Sequence, residues 1–157
     1  MIYYLVILFV CFIAFLFYKQ KRIVVSVVAV ILSLFAGTRL NIDNDYFLYE
    51  YFFKYSLDLA RFYSLNIEYC IYLINRLSHL LFYSTENIVY FSFLSFAFLG
   101  VSTKMIAVYR YSINIFLSIV LYSTYLFFMQ EMTTIRAGVA SGIFLLSLVH
   151  LVNRNYV

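Results

Sequence analysis

Apolar runs close to membrane length alternate with short polar breaks over most of this chain. Residues 2–18, 23–38, 88–103, 112–129 and 136–152 are nearly free of charge, and each predicts a membrane-crossing helix. Between 39 and 87 the pattern changes. From Tyr46 to Tyr63 the charges fall at Glu50, Lys54, Asp58 and Arg61, which gathers them on one helical face. Glu50 and Lys54 stand in the favourable order for an i, i+4 pair. Tyr46, Tyr49, Phe52, Phe53 and Leu57 fill much of the remainder, so 46–63 predicts an amphipathic helix at an interface. In 67–83, Glu68, Asn75, Arg76 and His79 collect on one face, with Tyr72, Leu73, Leu77 and Leu80 on others. This segment either crosses with its polar face against protein, lies in the interface, or re-enters.

The placement of basic residues arbitrates between these options. Lys19-Gln20-Lys21-Arg22 follows the first apolar run instead of preceding it, the wrong order for a cleaved signal peptide. It reads as the cytoplasmic end of a first span. A non-crossing 67–83 then leaves Lys104, Arg110 and Arg154 cytoplasmic as well, in short loops or ends. It also leaves 39–66 and 130–136 together on the outer face. The expected architecture is an all-α, polytopic bundle of five to six transmembrane helices with an extracytoplasmic amphipathic helical segment, all one domain over 1–157.

Composition agrees with a membrane class. Of 157 residues, 66% are hydrophobic and 11% charged, with a mean hydropathy of +0.94; a soluble domain carries about 25% charged residues. Tryptophan is absent while Tyr (17) and Phe (18) abound, so tyrosine takes the interfacial anchoring usually shared with Trp. Cys11 and Cys70 read as two buried small apolar residues with no disulfide between them. Nothing resembles a nucleic-acid-binding patch, so no nucleic-acid partner is expected. In the last run, Gly138-Val139-Ala140-Ser141-Gly142 reads as a small-residue face for close helix packing.

Two arginines stand out. Arg39 follows 23–38 directly in Gly37-Thr38-Arg39, and Arg136 closes Met132-Thr133-Thr134-Ile135-Arg136 at the head of the last run. A permanently charged, bidentate fork at a span mouth suits phosphate. Two on one face suit a lipid-linked phosphate or diphosphate. Each also fits an interfacial snorkel to lipid headgroups. Asp45, Glu68 and Glu131 are candidate carboxylates for moving a proton, and each also fits a solvated charge or cap; Asp45 fits the N-cap of the amphipathic helix. His79 is a candidate base near neutral pH or a solvated helix residue. Tyr46 and Tyr49 fit sugar stacking or interfacial anchoring. No His/Cys/carboxylate cluster has metal-ligand spacing and no Gly-rich phosphate loop is present, so no metal and no cofactor are expected.

Gly37-Thr38-Arg39, Asp45-Tyr46 with Tyr49, Glu68 opening an amphipathic segment, and Met132-Thr133-Thr134-Ile135-Arg136 with Ala140 together resemble the EpsG-like branch of Wzy-type polysaccharide polymerases. The resemblance runs through the whole chain and corresponds to the N-terminal half of a typical member, with Ala137 where the family often carries Gln. It implies a bacterial cytoplasmic-membrane glycosyltransferase-type polymerase joining undecaprenyl-diphosphate-linked repeats into O-antigen, capsule or exopolysaccharide. Arg39, Arg136, Asp45 and Glu68 would be catalytic; Tyr46, Tyr49, His79 and Glu131 would bind substrate. Partners would be the lipid-linked glycan, membrane lipids and, as a further candidate, a chain-length regulator. Polymer synthesis by 1–157 alone is not expected. The competing class is a non-enzymatic membrane protein, such as a transporter fragment or an assembly subunit of an export system. Charge placed at span ends instead of mid-span favours the surface site of a polymerase.

Overall fold

The computed structural model describes residues 2–17, 19–38, 44–55, 57–58, 63 and 68–153. All regular structure among them is helical: α1 (Ile2–Leu16), α2 (Lys21–Gly37), α3 (Asn44–Tyr55), α4 (Tyr69–Leu81), α5 (Thr85–Tyr111), α6 (Ile115–Leu121) and α7 (Ile135–Asn153). Helix α6 continues through two π-helical stretches, Tyr122–Leu126 and Phe128–Thr133. Hydroxyls of Ser123, Thr124, Thr133 and Thr134 bond to carbonyls three to five residues back, and the bond from Thr134 Oγ1 to Met129 O spans five residues at 3.0 Å. Such back-bonding loosens the α ladder locally. Asn114 starts α6 by accepting from the Leu117 N–H at 3.2 Å.

Helix α5 is the axis of the molecule. Helix α2 runs antiparallel to it: Arg22 Nε donates to Tyr109 Oη at 2.9 Å, and fifteen residues on, Gly37 packs against Leu94. A Cβ on Gly37 would lie 2.8 Å from Leu94 Cα, so the backbones approach there as only glycine permits. Helix α7 runs parallel to α5, with Ile135 in the cluster of Phe93 and Phe96, and Gly142 against Thr103. The small-residue face of Gly138 and Gly142 thus packs helix on helix, as its spacing implies. One end of the molecule carries Lys19, Lys21, Arg22 and Arg110; α3, α4 and the first turns of α5 cap the other.

Helix α5, at 27 residues, is the one helix among those described that is long and apolar enough to cross a membrane on its own. Shorter apolar helices run over Tyr3–Leu16, Ile115–Leu126 and Ile135–Leu148. Helix α1 presents an apolar outer face, with Leu5, Leu8, Phe9, Phe12 and Phe15 each more than half exposed.

Several expectations need correction. The run 88–103 does not end in a loop at Lys104. Helix α5 continues to Tyr111 because no Gly or Pro interrupts Thr103–Val108, and Lys104 is buried within it. Charge is therefore not confined to span ends. Of the amphipathic segment 46–63, Asn44–Tyr55 is helical, Asp58 lies beyond it, and Arg61 falls outside the described residues. The i, i+4 pair forms as expected, Lys54 Nζ to Glu50 Oε1 at 2.7 Å. The four polar residues expected on one face of 67–83 do not share one environment: Glu68 precedes α4 and is exposed, Asn75 is buried with Ile71 and Ser78, and Arg76 and His79 are exposed beside Leu73, Leu77 and Leu80. Asn75 is drawn inward because its amide donates to Phe53 O at 2.5 Å and Ser92 Oγ lies 3.4 Å from its Oδ1. Cys70 is exposed, not buried, since Ile71 takes the inward position of that turn.

Candidate functional site

Arg136 is the second residue of α7, half-buried where α3 and α4 meet it. Its Nε donates to Tyr49 Oη at 3.2 Å, its Nη1 donates to Glu68 Oε1 at 2.5 Å, and its Cζ lies 5.5 Å from the centre of the Tyr49 ring. Three segments 68 and 87 residues apart in sequence thus converge on one guanidinium. Tyr49 is held by burial, 2% exposed, on the inner face of α3. Behind it, Tyr46 stacks on Phe93 at 5.0 Å and Phe53 meets the same ring edge-on at 5.0 Å. This aromatic wedge fixes α3 to α5 and thereby fixes the Tyr49 hydroxyl. Glu68 immediately precedes α4, and its carboxylate also accepts from Cys70 Sγ at 3.5 Å. Partial burial first, and then that bond to Glu68, hold the Cys70 thiol above its ordinary range.

Arg136 and Glu68 remain substantially open, with side chains 38% and 48% exposed. An exposed ion pair at a surface contributes little to stability. It is chemically useful in another way: an incoming anion with better geometry can take the guanidinium and release the carboxylate.

The other candidates lie as follows. Asp45 is in the first turn of α3, one turn before Tyr49, where a negative charge complements the helix dipole. Asp45 is therefore inside the helix and not ahead of it as an N-cap. Tyr46 is buried against Phe93, 6% exposed. His79 is exposed in the last turn of α4, separated from Glu68 by ~16 Å of helix rise. Arg39 lies outside the described residues; the residue two before it, Gly37, packs at the level of Leu94.

Glu131 lies apart from this surface cluster. It pairs with Lys104 and accepts from Tyr122 Oη at 3.2 Å, with the two charged side chains 3% and 1% exposed. Lys104 Nζ is 5.8 Å from the Tyr122 ring centre. Gly100 and Gly138 flank the carboxylate, and a Cβ on Gly138 would come 2.9 Å from Glu131 Oε2. Hydropathy reading misses this pair; the unbroken apolar stretch Met105–Val108 signals only that the helix runs on past Lys104, not its partner. Among the described residues no group of three or more His, Cys, Asp or Glu is placed to hold a metal.

These features define an all-helical, strongly apolar protein whose open charged cluster sits at one end of an axial helix. The sequence profile of the EpsG family matches residues 22–157, and the chain belongs to that family. Membership places it among membrane proteins of polysaccharide biosynthesis. No curated protein and no solved structure matches the chain.

Proposed function

We propose that the chain, as a single domain over 1–157, forms part of a polymerase in the bacterial cytoplasmic membrane that joins undecaprenyl-diphosphate-linked glycan repeats. The observation that carries this reading is the convergence of Tyr49, Glu68 and Arg136 at the end of the molecule opposite the basic cluster. By the positive-inside rule, Lys19, Lys21, Arg22 and Arg110 face the cytoplasm. The Arg136 cluster then faces out, and α1, α2, α5, α6 and α7 cross the bilayer. Gly37 packs at the level of Leu94 and Ile135 at that of Phe93 and Phe96, so α2 ends where α7 begins along α5; we take Arg39, outside the described residues, to share the outer mouth with Arg136.

In this reading the donor's diphosphate takes the Arg136 fork, joined by Arg39, and Glu68 is released from its ion pair. The acceptor's sugar hydroxyl attacks the anomeric carbon of the donor glycan. The bond from that carbon to the diphosphate oxygen breaks, undecaprenyl diphosphate departs with its charge held by the arginines, and Glu68 accepts the hydroxyl proton. Tyr49 orients Arg136 for that role.

One observation favours the alternative of a non-enzymatic transporter or assembly subunit: the Lys104–Glu131 pair is buried between helices, where charge commonly marks a path. Against it, both charges are taken up by each other and by Tyr122, and both side chains are buried. The two readings separate in vesicles. Purified protein from the complete gene, given its native lipid-linked repeat, is expected to yield a ladder of lipid-linked oligomers on a gel. Unextended repeats moved across the bilayer would establish the transporter instead.

Membrane orientation has its own test. Thr38 and Thr134 are both exposed. Replaced singly by cysteine in a background with Cys11→Ser and Cys70→Ser, both are expected to react with a membrane-impermeant maleimide in intact spheroplasts. Reaction at one and protection at the other would separate Arg39 from Arg136.

A further inference from the structure

A cavity of about 260 Å³ lies between α3 and the first turns of α5. Tyr46, Glu50 and Lys54 recur every fourth residue along one stripe of α3 and line it together with Phe47; Glu86 and Tyr90 line it from α5. The wall is rigid where Tyr46 stacks flat on Phe93, with planes 7° apart. It is open at Phe47 and Tyr90, 62% and 43% exposed. Its polar atoms are held in place by the 2.7 Å bond between Lys54 and Glu50, which also keeps the Lys54 ammonium above its ordinary range.

We propose that this cavity is a glycan subsite that seats one sugar ring of the acceptor repeat, an inference that rests on the polymerase reading. Four properties point to a neutral sugar. Exposed aromatic rings offer flat apolar surface to the C–H face of a pyranose. Carboxylates and an ammonium at the rim accept from and donate to its hydroxyls. Two carboxylates against one ammonium repel phosphate, which disfavours a lipid headgroup or the diphosphate itself. The volume lies just below the usual range for small-molecule pockets, which suits a single ring. Both sites border α3, with Tyr46 and Glu50 lining the cavity and Tyr49 bonded to Arg136. A glycan seated here lies along the same helix that carries Tyr49 of the reacting centre.

The test uses the soluble repeat oligosaccharide, freed of lipid and diphosphate, titrated calorimetrically into the purified full protein. Tyr90→Ala and Glu86→Gln are each expected to raise its Kd about fivefold or more, while Tyr90→Phe, which keeps the ring, binds like wild type. Arg136→Lys is expected to leave the Kd unchanged within about twofold, because the probe carries no phosphate. Wild-type Kd in both Tyr90→Ala and Glu86→Gln overturns the subsite and leaves the rings as interfacial anchors. So does failure of the wild-type protein to bind the oligosaccharide at millimolar concentration. The vesicle assay reports separately: weakened binding in a protein that makes no ladder supports the subsite and rejects the polymerase. A wild-type ladder with wild-type binding in both variants rejects the subsite alone.

Discussion

Lys104→Met is expected to destabilise the protein by about 3–5 kcal/mol, and Glu131→Leu by a similar amount, because each strands a buried charge. The double variant Lys104→Met/Glu131→Leu is expected to recover most of that loss. The physical reason is the asymmetry of buried pairs. Lys104 and Glu131 sit at 2% and 1% exposure, where taking either charge from water is costly and only the partner offsets it. Removing both leaves an apolar gap that Met and Leu fill, and such replacements are often neutral or stabilising. Tyr122 loses its acceptor in the Glu131 variants, so recovery should stop short by about 1 kcal/mol, the usual worth of one hydrogen bond. Denaturant unfolding of the four proteins in detergent gives the coupling energy directly. Single variants within about 1 kcal/mol of wild type would mean that the pair is hydrated and does not hold α5 against the π-helical segment.

Much of this architecture is legible in sequence because apolar run length and charge periodicity report on local helix formation. The helices found within the runs 2–18, 23–38, 112–129 and 136–152, the Glu50–Lys54 pair and the packing face of Gly138 and Gly142 all follow from spacing within a few turns. What the sequence hides is tertiary pairing. Nothing local to Lys104 announces Glu131, 27 residues on, so a lone basic residue after a span reads as a loop cation. Asn75 illustrates the same point within one helix. Its amide is turned inward by a carbonyl of α3, 22 residues away, while its polar neighbours Arg76 and His79 remain outside. For the site, the sequence singles out Arg136, Tyr49 and Glu68 by residue type and position, but not that the three meet. That Tyr49 reaches Arg136 depends on the aromatic wedge of Tyr46, Phe53 and Phe93, which seats α3 on α5, and that Glu68 does depends on the bonds of Asn75 and Ser78, which hold α4.

Arg136→Lys, made in the chromosomal gene, is expected to reduce polymer synthesis about a hundredfold or more, the scale of losing one preorganised donor to a developing anion. Lysine retains the charge but is a single point donor without the planar fork. It cannot reproduce the paired bonds from Nε to Tyr49 and from Nη1 to Glu68, so the position of the cation at the mouth is lost together with its bidentate geometry. Arg39→Lys is expected to act in the same direction, through the same diphosphate. Arg76→Lys, exposed on α4 away from the cluster, serves as the control and should leave synthesis unchanged. The readout is the length distribution of surface polysaccharide on gels, with the membrane abundance of each variant measured in parallel. A merely structural role for Arg136 would lower abundance and polymer together; a role in holding the leaving group lowers polymer at constant abundance. Long chains of normal distribution from both Arg39→Lys and Arg136→Lys, at wild-type abundance, would reduce the two arginines to headgroup anchors and remove the diphosphate site from this protein.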